Sequence, residues 1–239
     1  MTTSSIDSVR RHLAIALDVP DLDEAEQVAK EVAPWFGVAK IGLELYSVAG
    51  PDAIARMRAL DLAVFADLKF HDIPTTVYRA ARVIGKLGVS YLNFHAAGGV
   101  EMLRAGVEGL REGAAAAGHA APRPIAVTVL TSDADTASFE ARFRAAVDAG
   151  CEGVVCSAHE VERVHAQRPN FVTIVPGVRF SDGNEHDHAR VATPERAVSA
   201  GADVLVLGRA VTGSSDPRAG AERTYRAVAA ALAERDRRR

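Results

Sequence analysis

Apolar and polar positions alternate along the chain in two rhythms. Short apolar, strand-like runs occur at 12–19 (HLAIALDV), 37–43 (GVAKIGL), 62–69 (LAVFADLK) and 89–96 (VSYLNFHA), then at 124–130 (PIAVTVL), 153–158 (GVVCSA), 171–177 (FVTIVPG) and 202–209 (ADVLVLGR). Between them, apolar residues recur at helical spacing, as in DLDEAEQVAKEVAPW, PDAIARMRAL, IPTTVYRAARVIGKLG and GVEMLRAGVEGLREGAAAAG. Several of these stretches end at Gly88, Gly118, Gly150 or Gly201, as helix C-termini prefer. Eight strands alternating with eight helices predict parallel pairing, and eight is the number that closes a barrel. The expectation is therefore an α/β fold, a (β/α)8 TIM barrel formed by residues 1–239 as a single domain, with 1–11 and 235–239 as loose ends. A doubly wound open sheet is the alternative. No linker and no clear repeat breaks the pattern.

In such a barrel, chemistry gathers where strands end and βα loops begin. The first run ends at Asp18, the second passes Lys40, and the third ends with Asp67 and Lys69 in DLKFHDIP. Asn93 and His95 close the fourth, and Thr131 and Ser132 follow the fifth. Pro176, Gly177 and Arg179 follow the seventh, and Gly208 and Arg209 close the eighth. Strand residues two apart share a side, so Asp67 and Lys69 are expected to point together toward the barrel mouth. Asp72 comes just before Pro74, where it suits a helix cap.

Acid and base on three successive strands fit a definite chemistry. An ammonium between carboxylates favours its charged form, which disfavours Schiff-base attack. Such a lysine can donate a proton and stabilise negative charge, as a carbanion-forming reaction requires. At the other end, a glycine, an arginine and a helix start after the last strand suit a phosphate group. Arg179 can fold in from the seventh loop, and RFSDGNEHDHAR has the composition of a lid. His95 reads as a hydrogen-bonded scaffold residue, with His71 in a supporting place.

Composition removes other classes. Length 239 gives room for a sizeable core, and 48% hydrophobic with 25% charged residues is the balance of a soluble globular chain. A net charge of −3 offers no footprint for nucleic acid, and the terminal RDRRR reads as a solvated tail. No apolar run is long enough to span a membrane, and MTTSSIDSVRRH has no signal-peptide character. Cys151 and Cys156 lie in or beside one apolar run, as core residues, and form no ligand cluster. The expected location is the cytoplasm.

The stretch FADLKFHDIPTTV closely resembles the signature of the orotidine 5′-phosphate decarboxylase family. The likeness continues through IALDV, VAKIGLELYSVAGP, NFHAAGG, VTVLTS, VPGVRF and RVATPERAVSAGADVLVLGRAVT, in order and over nearly the whole chain. The resemblance implies a barrel homodimer that converts orotidine 5′-phosphate to UMP without metal or organic cofactor. It makes Lys69 the proton donor to C6, sets Asp67 against the substrate carboxylate, and gives Lys40 the network and the ribose. Asp72 and Thr76 would reach the partner's site. Asp18 would hold a ribose hydroxyl and Thr131 the pyrimidine edge. Pro176, Arg179, Gly208 and Arg209 would serve substrate binding in the phosphate and lid region.

Two positions depart from the family pattern. Thr75 stands where Asn usually follows DIP. His188 stands where the lid usually has Gln, and an imidazole cannot donate and accept in an amide's geometry. Weaker or pH-dependent lid closure, and lower substrate affinity, are expected from His188. Two other readings stand beside the favoured one. One is a metal-assisted decarboxylase or aldolase of a sugar phosphate, which shares D-x-K-x-x-D, although the preceding strand offers an acid, Glu44, only beyond its end, which supplies a metal cage poorly. The other is a nucleotide-binding barrel without turnover.

Overall fold

The structure is a computed structural model, and it describes residues 3–129, 138–180, 192–213 and 216–237. Eight parallel strands form a closed barrel: β1 (Leu13–Ala16), β2 (Val38–Ile41), β3 (Ala63–Phe70), β4 (Tyr91–His95), β5 (Arg123–Val127), β6 (Gly153–Val155), β7 (Val172–Val175) and β8 (Val204–Leu207). Each pairs with the next in sequence, and Leu13↔Leu205 and Ile15↔Leu207 join the first to the last. That pairing removes both edges, so the open doubly wound sheet is ruled out.

Strand parity divides the core in two. Ala14, Ala16, Val38, Phe65, Ile125, Val172, Ile174, Val204 and Val206 fill the barrel interior. Their neighbours Leu13, Ile15, Ala39, Ile41, Val64, Ala66 and Leu92 face the helices in a second, larger cluster. The barrel is therefore a packed core, and a ligand can enter only at an end.

Helices α1 (Thr3–Arg10), α2 (Leu22–Val32), α3 (Leu43–Ala49), α4 (Pro51–Ala59), α5 (Pro74–Lys86), α6 (Gly99–Ala116), α7 (Phe139–Asp148), α8 (Val161–Gln167), α9 (Pro194–Ser199), α10 (Arg209–Thr212) and α11 (Pro217–Arg237) surround it. Residues 3–10 are helical, Val9 is buried, and the Arg10 carbonyl accepts the Gly37 N–H at 2.9 Å. At the other end, α11 runs on to Arg237. Helix α3 was not foreseen: Gly42 and Leu43 read as strand, yet the chain leaves the sheet after Ile41.

Helix α5 starts directly after the charged stretch of β3. Asp72 does not cap it as expected; the cap position belongs to Ile73, and Pro74 occupies the first turn, where its missing N–H is not needed. The Asp72 carboxylate instead accepts the Ile73 N–H at 2.6 Å. Helix α6 lies very close to α5. A Cβ on Gly109 would come within 2.2 Å of the Tyr78 carbonyl, and one on Gly113 within 2.0 Å of the Arg82 carbonyl. Those glycines let the two backbones approach, which fixes α5 beneath the loop that carries Asp72.

Candidate active site

The inward-facing row of the barrel changes character at its C-terminal end. Ala14 and Ala16 on β1 are followed two residues later by Asp18. Val38 on β2 is followed by Lys40, Phe65 on β3 by Asp67, and Tyr91 on β4 by Asn93. The parity that fills the core thus delivers polar groups to one mouth, with no further folding information required.

These groups are in contact. Lys40 Nζ donates to Asp18 Oδ1 at 2.8 Å and lies 3.4 Å from Asp67 Oδ2. Lys69 Nζ donates to Asp67 Oδ1 at 2.6 Å. The result is one alternating line: Asp18, Lys40, Asp67, Lys69. Side-chain exposure is 9% at Lys40 and 14% at Asp67, against 34% at Lys69 and 54% at Asp18. The middle of the line is dry and its two ends face the mouth. Burial by itself would raise the Asp67 pKa. The charges of Lys40 and Lys69, with hydrogen bonds from Lys69 and Asn93, outweigh that and hold its carboxyl below the usual carboxylate range. Removing one partner from a buried pair of this kind costs about 3–5 kcal/mol, because the other charge stays behind unmatched.

The backbone at Lys69 is unusual. Its φ is +48°, the left-handed region that costs a residue with a side chain about 1–2 kcal/mol. The β3–β4 register shifts between Ala66 and Phe70. Asp67 and Lys69 do point to the same place, but through this irregularity rather than the plain alternation expected of a strand. The Lys69 N–H donates to Asn93 Oδ1 at 2.7 Å, and Asn93 Nδ2 donates to Asp67 Oδ1 at 2.6 Å. Asn93 is fully buried. Sequence reasoning noted it only as a strand-end residue; its place on the inward parity, level with Asp67, was the available signal. Gly42 was missed as well. A Cβ there would lie 2.6 Å from Asp18 Oδ1 and 3.1 Å from Lys40 Nζ, so a hydrogen is what lets that pair form.

The other candidates lie outside this line. Asp72 and Thr76 lie in the run 71–76, where every residue is exposed, and no bond joins Asp72 to the charged line within this chain. Pro176 and Arg179 follow β7, and the Arg179 N–H donates to the Ala192 carbonyl at 3.2 Å. Gly208 follows β8 as the cap of α10, and Arg209 opens that helix at the same mouth. Thr131 and His188 lie outside the described residues, as does Ser132. His71 has left the strand and stacks on His95, with ring centres 5.2 Å apart. His95 also accepts the Ala97 N–H at 3.4 Å, which fits its scaffold reading. Burial first, then the nearby His71, Arg142 and Lys69, pushes its pKa below the ordinary histidine value. Glu44 sits exposed in the first turn of α3, and among the described residues no cluster of three or more His, Cys, Asp or Glu is placed to hold a metal.

Residues 11–224 match the model of the Orotidine 5′-phosphate decarboxylase / HUMPS family. The chain belongs to that family. Among curated relatives, the orotidine 5′-phosphate decarboxylase of Moorella thermoacetica is 43% identical, over 92% of this chain and 91% of that protein. The orotidine 5′-phosphate decarboxylase of Anaeromyxobacter sp. (strain K) is 44% identical, over 92% and 97%. Among solved structures, the orotidine 5′-phosphate decarboxylase from Lactobacillus acidophilus superposes with a TM-score of 0.78 at 31% identity, covering 91% of this chain and 99% of that one. Membership accounts for the barrel and for the order in which the family-like segments occur.

Proposed function

We infer that this protein is an orotidine 5′-phosphate decarboxylase, releasing carbon dioxide from the substrate to give UMP in pyrimidine biosynthesis. The observation that carries the reading is the line Lys40–Asp67–Lys69, buried at Lys40 and Asp67, with a 2.6 Å ammonium–carboxylate bond at its reactive end. In this reading the bond from C6 to the carboxylate breaks and its electron pair stays on C6. Lys69 Nζ stabilises that pair and then gives it a proton, so the lysine is left neutral until solvent restores it. Asp67, held ionised by its two lysines, faces the leaving carboxylate. Departure of carbon dioxide relieves that repulsion, while the attraction between Lys69 and C6 grows. Lys40 acts in the chemical step by keeping Asp67 ionised and also touches the ribose, Asp18 takes a ribose hydroxyl, and Pro176, Arg179, Gly208 and Arg209 serve the phosphate end. The step as written balances without a metal or organic cofactor.

Two copies are proposed to pair across the face that bears Asp72 and Thr76, each lending these residues to the other's site. The exposed run 71–76 supports this, as do the large apolar side chains left open: Leu43, Val48, Ile73 and Val83, each 56–66% exposed. Among the described residues no helix is long and apolar enough to cross a membrane.

The test mixes metal-stripped protein with orotidine 5′-phosphate and follows the loss of pyrimidine absorbance. Turnover is expected without added metal, and Lys69→Ala is expected to be nearly inert while still binding UMP. Absence of turnover until a divalent metal is supplied would instead point to sugar-phosphate chemistry.

A further inference from the structure

We propose that Asn93 is a positioning residue for the Lys69–Asp67 pair, acting by filling a bulge in β3. This inference rests on the reading of Lys69 and Asp67 given above. Ala66 pairs with Leu92 and Phe70 pairs with Phe94. Asp67, Leu68 and Lys69 therefore stand opposite the single residue Asn93. A regular ladder has no partner for the surplus backbone, and Lys69 takes up the excess by turning left-handed.

Asn93 supplies what the ladder lacks. Its Oδ1 accepts the Lys69 N–H at 2.7 Å, and its Nδ2 donates to Asp67 Oδ1 at 2.6 Å. Only one orientation of the amide works. Turned over, the NH2 would face an N–H and the oxygen would face a carboxylate, and both contacts would be repulsive. The side chain is fully buried, so water cannot take its place without a rearrangement. One amide thus fixes two things together: the backbone turn that aims Lys69 and the rotation of the carboxylate that Lys69 touches. Asp67 Oδ1 receives both the Lys69 ammonium and the Asn93 amide, and Asp67 Oδ2 is left to Lys40. Asn93 touches no reacting atom in this arrangement; it acts through the two residues that do.

Asn93→Ala and Asn93→Asp separate these jobs. The alanine variant loses both bonds. The aspartate variant can still accept the Lys69 N–H, but it sets a second carboxylate against Asp67. Two carboxylates in contact raise one pKa of the pair. For both variants kcat is expected to fall about 10- to 100-fold, the worth of a hydrogen bond to a charged group. The Kd for UMP, which lacks the departing carboxylate, is expected to change less than about threefold. In Asn93→Asp the acid limb of the kcat–pH profile is expected to move to higher pH. Wild-type kcat in either variant overturns the proposal. So does loss of UMP affinity in step with a fall in Tm, since that describes a residue needed only for folding. Amide exchange in the ligand-free wild-type protein tests it even if neither variant folds. The Lys69 N–H is expected to exchange slowly, and rapid exchange overturns the claimed bond. Failure of the wild-type protein to turn over orotidine 5′-phosphate would count against the assigned reaction, whereas the amide-exchange result bears on Asn93 alone.

Discussion

Gly42→Ala is expected to leave the fold intact and weaken the enzyme. Gly42 has φ −89° and ψ −177°, extended backbone that any residue adopts. The substitution therefore adds no strain, and by reducing the freedom of the unfolded chain it stabilises by about 0.4–1 kcal/mol. The new methyl group meets only side-chain ends, Asp18 Oδ1 at 2.6 Å and Lys40 Nζ at 3.1 Å. To reach an ordinary 3.4 Å contact, the Asp18 oxygen must retreat by about 0.8 Å. A 2.8 Å bond stretched that far no longer counts as a hydrogen bond. A bond between charged groups is worth about 1.5–3 kcal/mol, but Asp18 is half exposed and water replaces part of it. The lower end of that range corresponds to about a tenfold loss in kcat/KM.

Absorbance-based kinetics and calorimetry measure both quantities on one preparation. The expected pattern is a Tm within about 2 °C of wild type with kcat/KM down about tenfold, mostly through KM, since Asp18 is read as a ribose ligand. In an Asp18→Ala background the same substitution is expected to add little, because the two changes remove one interaction. A kcat/KM within twofold of wild type would refute the reasoning, because the methyl group would then have been absorbed without disturbing the charged line.

Asp67→Asn leaves two ammonium groups without their shared anion, and kcat is expected to fall by at least about a thousandfold in the absorbance assay. Since the folded protein lowers the Asp67 pKa, its contribution to stability is full above the unfolded value near pH 4 and is lost as pH falls through the lower folded value. The denaturant-measured difference between wild type and Asp67→Asn is accordingly expected to shrink from pH 6 to pH 3. Burial lowers the pKa of His12, partly opposed by the bond its Nδ1–H donates to the Asp203 carbonyl at 2.6 Å. Its contribution is present above about pH 6.5 and is lost as pH falls through the folded value, so Tm is expected to drop between pH 7 and pH 5, and less so in His12→Gln. Cys151 and Cys156 are buried, and desolvation pushes the first thiol up to about 12 and the second higher still. A thiol reagent at pH 8 is expected to label neither until denaturant is added, and prompt labelling of the native protein would contradict this burial.

The legible part of the molecule followed from periodicity. A barrel strand obeys a two-residue repeat, so Asp18, Lys40 and Asp67 could be placed on one inward row from spacing alone, and the structure puts them there. What the sequence concealed were departures from that repeat. Nothing in DLKF announces that Lys69 is left-handed, since lysine has no preference for that region. The role of Asn93 depends on a register shift that becomes visible only once both strands are paired. Gly42 looked like strand because GVAKIGL is apolar apart from Lys40, yet its importance lies in what a methyl group would meet across the loop. Asp72 failed as a cap for a local reason: α5 begins at Pro74, so the cap position falls on Ile73 and Asp72 lies one residue too early.

These departures share a physical logic. The groups assigned to the chemical step, Lys40, Asp67 and Lys69, with Asn93 behind them, stand on strands whose neighbours are packed on both faces. The groups assigned to holding the substrate, Asp18, Arg179 and Arg209, lie beyond strand ends and are exposed. Strand-borne charges cannot relax when a ligand arrives, so their repulsion and attraction are set before binding and are available to the transition state. Loop-borne groups can adjust, which suits a ligand that must enter and leave. Substitutions on the inward rows of β2–β4 should therefore act mainly on kcat, and those beyond the ends of β1, β7 and β8 mainly on KM. The division follows from where the backbone is fixed, and the left-handed turn at Lys69 is the point at which the fixed part is bent to bring its ammonium onto Asp67.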